Sequence, residues 1–262
     1  MKLSLVEQAT SEFIAGTELN GASDIGLSKI YATPLLGVAG TGDVMFDLLR
    51  QEDVVGANHL LPQHWLPTAQ SVVSYFLPFS QAVRQANRRG EMPAAEWLYA
   101  RIEGEIVNNA LRHFLVDFFE KSGYQAIAPA LDERFAVVNR RSNWSEHHIA
   151  FIAGLGTFSL NRSFISKAGA AGRLGSVIVS VSIEPTPRSY EAYDEYCSKC
   201  GVCIKRCPPR AIDDGGKDNE LCAKFLNETA ERFKPRYGCG KCQTAVPCEA
   251  SVPVRAEKPV EM

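Results

Sequence analysis

No cysteine occurs before residue 197 of this 262-residue chain, and neither sign of charge dominates, the formal balance being −2. No apolar run approaches the ~20 residues of a membrane span. The near-neutral balance lacks the field that holds nucleic acid without sequence preference. Short basic groups at Arg84, Arg88 and Arg89 and at Arg140 and Arg141 read more simply as solvated or ion-paired faces. No G-x-G-x-x-G follows a predicted strand and no Walker loop is present, which argues against Rossmann-type dinucleotide binding and ATP hydrolysis. Gly37-x2-Gly40-x-Gly42 is the one turn with the glycines to cradle a phosphate, and such a turn is first of all a loop. The first sixteen residues carry Leu3, Leu5, Val6, Phe13 and Ile14 interrupted by Glu7, Gln8, Ser11 and Glu12. That is an amphipathic helix and not a signal h-region, so the expected location is the cytoplasm, with no membrane span.

The cysteines are concentrated where they do occur. Eight follow residue 196, opening with Cys197-x2-Cys200-x2-Cys203-x3-Cys207-Pro208, the spacing that ligates a [4Fe-4S] cluster and sends its fourth thiolate to a different cluster. Cys222, Cys239-x2-Cys242 and Cys248 supply what that run lacks. The crossed ligation of two-cluster domains assigns Cys197, Cys200, Cys203 and Cys248 to cluster one and Cys207, Cys222, Cys239 and Cys242 to cluster two. Zinc and disulfides are the alternatives for so many thiols. Zinc ribbons use separated C-x2-C pairs and need no three cysteines in successive x2 steps. Disulfides suit a small secreted scaffold, which nothing here resembles. Exposed clusters oxidise readily, so a reducing, anaerobic cell is expected, and the two clusters make an iron–sulfur, electron-transferring oxidoreductase the natural class.

Coarse patterning divides the chain into residues 1–190, a ferredoxin-like module at 191–250 and a loose tail at 251–262. Apolar runs at 35–39, 71–77 and 175–183 read as strands. Pro93 opens a long helix, with Leu98, Ile102, Ile106, Ala110, Phe114 and Phe118 as its core stripe and Gly123 as its stop. Ser145 is a candidate N-cap for a helix ended by Gly154 and Gly156. Strands interleaved with helices argue for an α/β or α+β core. Glu184-Pro185-Thr186-Pro187 reads as a stiff linker into a module where metal clusters replace a hydrophobic core. A two-cluster ferredoxin needs only about 60 residues, so the first part must do something more.

Ala153-Gly154-Leu155-Gly156, then Asn161, then Gly172-Arg173-Leu174-Gly175-Ser176-Val177, then the cysteine run, resembles the succession in epoxyqueuosine reductases and, more distantly, reductive dehalogenases. With Leu66-Pro67-Thr68-Ala69-Gln70-Ser71-Val72 the resemblance extends over residues 66–250, and the chain looks like a short, divergent double-cluster 4Fe-4S member. It implies an α+β fold with a nitroreductase-like α/β core, a base-off cobalamin in that core, and two [4Fe-4S] clusters that reduce the cobalt. Gly154, Gly156 and Arg173 would then border the corrinoid; the plainer alternative is that the glycines only terminate a helix. The family carries an aspartate thirteen residues before the AGLG alanine, read as a general acid. Here that position is Arg140, which stays protonated and cannot serve. Together with the missing helical extension after the last cysteine, this makes tRNA an unexpected substrate.

His147 and His148, next to Glu146, are the candidate proton donors, and adjacent histidines point to different sides of a helix. Tyr75 and Tyr99 are further donors in apolar contexts that favour packing. The leading expectation is a reductase fed by a low-potential donor such as ferredoxin or flavodoxin, passing electrons to a small molecule or corrinoid in the first part. The alternatives are an electron-transfer protein without substrate chemistry and a reactivase acting on a separate corrinoid protein.

Overall fold

The computed structural model describes residues 1–254; of the tail expected at 251–262, residues 255–262 lie outside the described residues. Helix α1 (Leu3–Gly16) buries Val6, Thr10 and Ile14, one residue per turn on one face, as its pattern requires. Strand β1 (Leu35–Gly40), the one-turn helices α2 (Met45–Leu48) and α3 (Pro62–Trp65), strand β2 (Ser71–Pro78) and helix α4 (Gln81–Ala86) follow. All eight residues of β2 are buried, which marks it as a central strand covered on both faces.

Helix α5 (Ala95–Lys121) ends where Gly123 adopts φ +84°. The Gly123 N–H donates to the Glu120 carbonyl at 2.9 Å and the Tyr124 N–H to that of Phe119 at 3.0 Å, the paired bonds of a Schellman stop. Its buried face differs from the expected stripe. Trp97, Leu98, Ala100, Gly104, Val107, Leu111, Leu115 and Phe119 are buried, whereas Ile106 is 54 % exposed. The reason is geometric: five steps of four residues turn the helix about 200° off its starting face, whereas the observed mix of three- and four-residue steps drifts only about 40°. Phe114 and Phe118 instead pack at the margin, Phe114 stacking on Phe13 at 4.6 Å.

Next come β3 (Ala126–Ile127), the hairpin β4 (Val137–Val138) and β5 (Arg141–Ser142), helix α6 (Glu146–Ile152), the hairpin β6 (Gly156–Phe158) and β7 (Phe164–Ser166), and β8 (Gly172–Val179). The main sheet runs β1-β2-β8-β3 with every pairing antiparallel, so the core is α+β rather than parallel α/β. Alternate β2 residues divide its faces. Val73, Tyr75 and Leu77 join α1 and α5, while Val72 and Phe76 face the α6 side with Trp144, Ile149 and Ala150.

The cysteine segment contains α7 (Val202–Arg206), the hairpin β9 (Ile212–Asp213) and β10 (Gly216–Lys217), and α8 (Asn219–Arg232). The Asp218 carboxylate caps α8 by accepting from the Glu220 and Leu221 N–H groups. The segment is knit to the first part by buried polar bonds. Lys241 Nζ donates to the Asn87 and Arg89 carbonyls at 3.0 and 2.7 Å, and Asn87 Nδ2 donates to the Cys239 carbonyl at 3.0 Å. Arg84 and Arg88 bind Glu249, and Arg140 binds Glu220, so these arginines are ion-pair partners. The linker lies along β1, with the Thr186 N–H donating to the Val38 carbonyl at 2.9 Å.

Candidate redox site

The eight thiols gather into two groups. Cys248 has Cys197, Cys203 and Cys200 as its electrostatic neighbours, and Cys242 has Cys239, Cys207 and Cys222. None is in a disulfide. Each group pairs chain segments far apart in sequence, Cys248 reaching back to the loop before α7 and Cys207 meeting the first turn of α8. Two Cys-Gly-x-Cys turns carry the central ligands. Gly201 and Gly240 both have positive φ, +68° and +64°, and each opens a short helical turn. Burial first, and then the neighbouring thiols, push Cys203 and Cys239 to about 11 and Cys248 and Cys242 to about 12, the last despite the nearby Lys217 cation. Such thiols hold their protons at neutral pH unless a metal displaces them. Among the described residues no three His, Cys, Asp or Glu side chains converge tightly enough for one metal ion.

The surroundings of the two groups differ. Cys197, Cys200, Cys203 and Cys248 close around about 20 Å³ of free space. Cys207, Cys222, Cys239 and Cys242 open onto a cavity of about 540 Å³ that reaches across to α5, α6 and β8. Asn161, in the β6–β7 loop, borders both spaces, and its Nδ2 donates to the Cys242 carbonyl at 2.7 Å.

Of the residues singled out in sequence, His147 and Arg173 are on the cavity wall. His147 is exposed to the cavity yet ringed by protein, and burial, Lys217 and Arg173 push its pKa down to about 4. His148 points elsewhere, its Nδ1 bonded to Ser145 Oγ at 2.7 Å and its ring against Phe158. The structure does not bring Gly154 and Gly156 to the cavity. Gly154 ends α6 with φ +81°, and its Cβ position faces the Thr186 and Pro187 backbone; that of Gly156 is filled by the Ile165 carbonyl. Close backbone approach accounts for both. Gly37 is required in the same way by the Ala153 carbonyl. Tyr75 is fully buried and donates to Asn108 Oδ1 at 2.8 Å, and Tyr99 donates to Asp24. Arg140 occupies the β4–β5 turn at φ +63° and pairs with Glu220 at 2.7 Å.

The sequence reading passed over the polar wall itself. Arg112 donates to Glu105 Oε1 at 2.8 Å and lies 3.6 Å from Glu146 Oε1. Glu146 Oε2 accepts from Ser176 Oγ at 2.7 Å, and Ser176 Oγ accepts from Trp144 Nε1 at 2.9 Å. Burial outweighs the Arg112 cation and the Ser176 bond and raises the Glu146 pKa. The available signal was Glu146 at the first position of a helix that also presents His147, and the charged Arg101, Glu105 and Arg112 recurring along a helix otherwise read as core.

No family model matches the chain. Epoxyqueuosine reductase of Bacillus cereus is 27 % identical over 203 residues, covering 71 % of this chain and 50 % of that protein. The Listeria monocytogenes epoxyqueuosine reductase is 25 % identical over 219 residues, 75 % of this chain and 52 % of the relative. The chain thus spans about half the length of the curated relatives it matches. Among solved structures, epoxyqueuosine reductase from Streptococcus thermophilus aligns with TM-score 0.56 and 17 % identity, over 96 % of this chain and 68 % of that one. A reductive dehalogenase described in connection with B12-dependent dehalogenation aligns at 0.53 and 14 %, over 84 % of this chain and 30 % of that one. The chain is therefore similar in sequence to epoxyqueuosine reductases and has the mixed α+β fold seen in them and in reductive dehalogenases.

Proposed function

We propose that this chain is an iron–sulfur reductase, with one [4Fe-4S] cluster on Cys197, Cys200, Cys203 and Cys248 and a second on Cys207, Cys222, Cys239 and Cys242, the second facing an acceptor in the cavity. The observation that carries this reading is the contrast between a closed thiol group and one that opens onto about 540 Å³. The space beside the second group is far larger than that among the first, which leaves room for a further group there. A corrinoid is the further group assigned to that space in this reading, bordered by Arg173, Trp97 and Phe164. When bound, the clusters supply single electrons and a corrinoid supplies a cobalt centre able to accept them.

The chain's own residues do the rest. Lys217 and Lys241 are the cations nearest the second thiols and offset the negative charge of a thiolate-bound cluster. Asn161 fixes the Cys242 loop. Glu146 accepts from Ser176 at Oε2, and burial shifts it toward the neutral acid against the pull of Arg112, 3.6 Å from Oε1. His147 is held neutral on the same wall. Glu146 is the candidate proton donor for a reduced acceptor in this reading. That Arg140 is engaged with Glu220 also supports a substrate other than tRNA. Supply of electrons by a ferredoxin or flavodoxin and residence in the cytoplasm belong to the same reading; no helix of the described residues is long and apolar enough to cross a membrane.

The test is iron and sulfide analysis with EPR of anaerobically reconstituted protein, followed by cobalamin titration. About eight irons and two interacting cluster signals are expected. About four irons, or a zinc content matching the thiols, would sink the reading. A base-off cobalt(II) spectrum on adding cobalamin would assign the cavity's acceptor, and an unchanged spectrum would remove the corrinoid from it.

A further inference from the structure

The cations around the cavity outnumber its carboxylates. Arg101, Arg112, Arg162, Arg173 and Lys217 line it, against Glu105 and Glu146. Arg112 is consumed by the two carboxylates, binding Glu105 at 2.8 Å and Glu146 at 3.6 Å. Arg173 reaches Glu105 only at 3.8 Å and spends one N–H on the Arg101 carbonyl at 2.8 Å. Among the described residues Arg101 forms no close ion pair, and Glu105, one turn along α5, acts on it only through its charge. Arg101 donates to the Tyr237 hydroxyl at 3.1 Å and stacks over that ring.

Lys217 and Lys241 are the cations that act most on the second thiols. Arg101 and Arg173 instead act on each other: burial and then the Arg173 charge lower the Arg101 pKa. Two like charges held together on a partly buried wall are unfavourable unless an anion lies between them and solvent. Guanidinium groups suit that role, because their N–H forks match planar oxyanions. The aromatic rings of Trp97, Phe76 and Phe164 on the same cavity supply an apolar body site beside the charged one.

We propose that the cavity binds an organic oxyanion, a carboxylate or phosphate on an apolar body, with its charged end held by Arg101 and Arg173 and its body toward the second thiol group. This deepens the reductase reading by naming the substrate class, and it rests on that reading for the position of the cluster. The same oxyanion chemistry has two sources, a small acid acting as acceptor or the phosphodiester of a nucleotide-bearing cofactor.

The test uses the full-length protein with its clusters reconstituted, titrated calorimetrically with benzoate, phenyl phosphate and neutral benzamide. At least one anion is expected to bind about tenfold or more tightly than benzamide, to lose that advantage in Arg173→Gln and in Arg101→Gln, and to perturb the EPR signal of one cluster only. Equal binding of anions and benzamide to the wild type overturns the inference, and this arm needs no variant to fold. Anion binding unchanged in a folded Arg173→Gln also overturns it. Repeating the titration with cobalamin and with cobinamide, which lacks the nucleotide, separates the sources. Displacement of the anion by cobalamin alone identifies the cofactor phosphodiester, and retention beside cobalamin identifies a small acid. Absence of two clusters in iron analysis defeats the reductase reading and is scored separately from anion selectivity.

Discussion

The two thiol groups are built from the same local unit and set in opposite surroundings. Cys200-Gly201-Val202-Cys203 and Cys239-Gly240-Lys241-Cys242 each place a left-handed glycine at the head of a helical turn. Around Gly201 an added Cβ would meet only the Ile204 side chain at 3.7 Å, while at Gly240 it would land inside the Trp97 ring. Cys200 is exposed, whereas the second group is walled by α5, α6 and β8. Sites that share ligand chemistry can thus differ in what they are for. In the proposed reading the first receives electrons at the surface and the second hands them to something held in the cavity.

The largest effects should come from removing one ligand of each group. Cys248→Ala and Cys242→Ala should each lose about half the iron. Only Cys242→Ala should also abolish the effect of a cavity anion on the EPR spectrum, and equal loss of that effect in both variants would break the distinction between the groups. The paired glycines sharpen the same comparison. Gly240→Ala, which collides with Trp97 in addition to its backbone strain, should cost on the order of 3 kcal/mol or prevent cluster assembly. Gly201→Ala should cost about 1 kcal/mol, from strain alone. Thermal unfolding of the two reconstituted variants measures the difference.

The histidines at and beside α6 should carry the chain's acid sensitivity. Burial first lowers His59, His147 and His148 to about 4. A histidine whose folded pKa is depressed stabilises the fold above its unfolded value and loses that stability as pH falls from about 6.5 toward 4. His59, with its ring 5.7 Å from that of Trp144, is 1 % exposed. His59→Phe should flatten denaturation curves in that window by up to about 3 kcal/mol at the acid end; unchanged slopes would show that the buried imidazoles do not differ between folded and unfolded chains. The smallest effect is expected at Glu146, where the sign is reversed. Its raised pKa favours the fold at low pH, and that contribution fades as pH rises through the folded value. Glu146→Gln should therefore gain stability at neutral relative to acid pH, while slowing any step limited by proton delivery.

Legibility followed the range of the interactions. The α1 helix, the β1 and β2 strands and the Gly123 stop depend on neighbours a few residues away and stand close to where the patterning placed them. The stripe on α5 did not, because a row of apolar residues at four-residue spacing winds off the face that the sheet actually covers. Strand β8 begins at Gly172 and ends at Val179, earlier than the alternating run at 175–183 suggested. Its limits follow its pairing with β2, from Pro78↔Gly172 to Ser71↔Val179. The wall of Arg101, Glu105, Arg112, Arg173 and Glu146 left only scattered traces in the sequence, since these polar residues come from three separate elements and become a site only by convergence.

The sequence alone determined that eight thiols lie in one late segment, that their spacing is that of iron–sulfur ligation, and that a mixed helix and strand region precedes them. Ligand spacing is a covalent property of the chain and needs no fold to be read. Only the tertiary structure decided that the second thiol group opens onto a cavity and the first does not, that Gly154 and Gly156 serve backbone packing, and that an arginine-rich wall faces the thiols across that space. These are properties of which surfaces are brought together, set by burial of the sheet between α5 and α6, and burial is a sum over contacts distant in sequence.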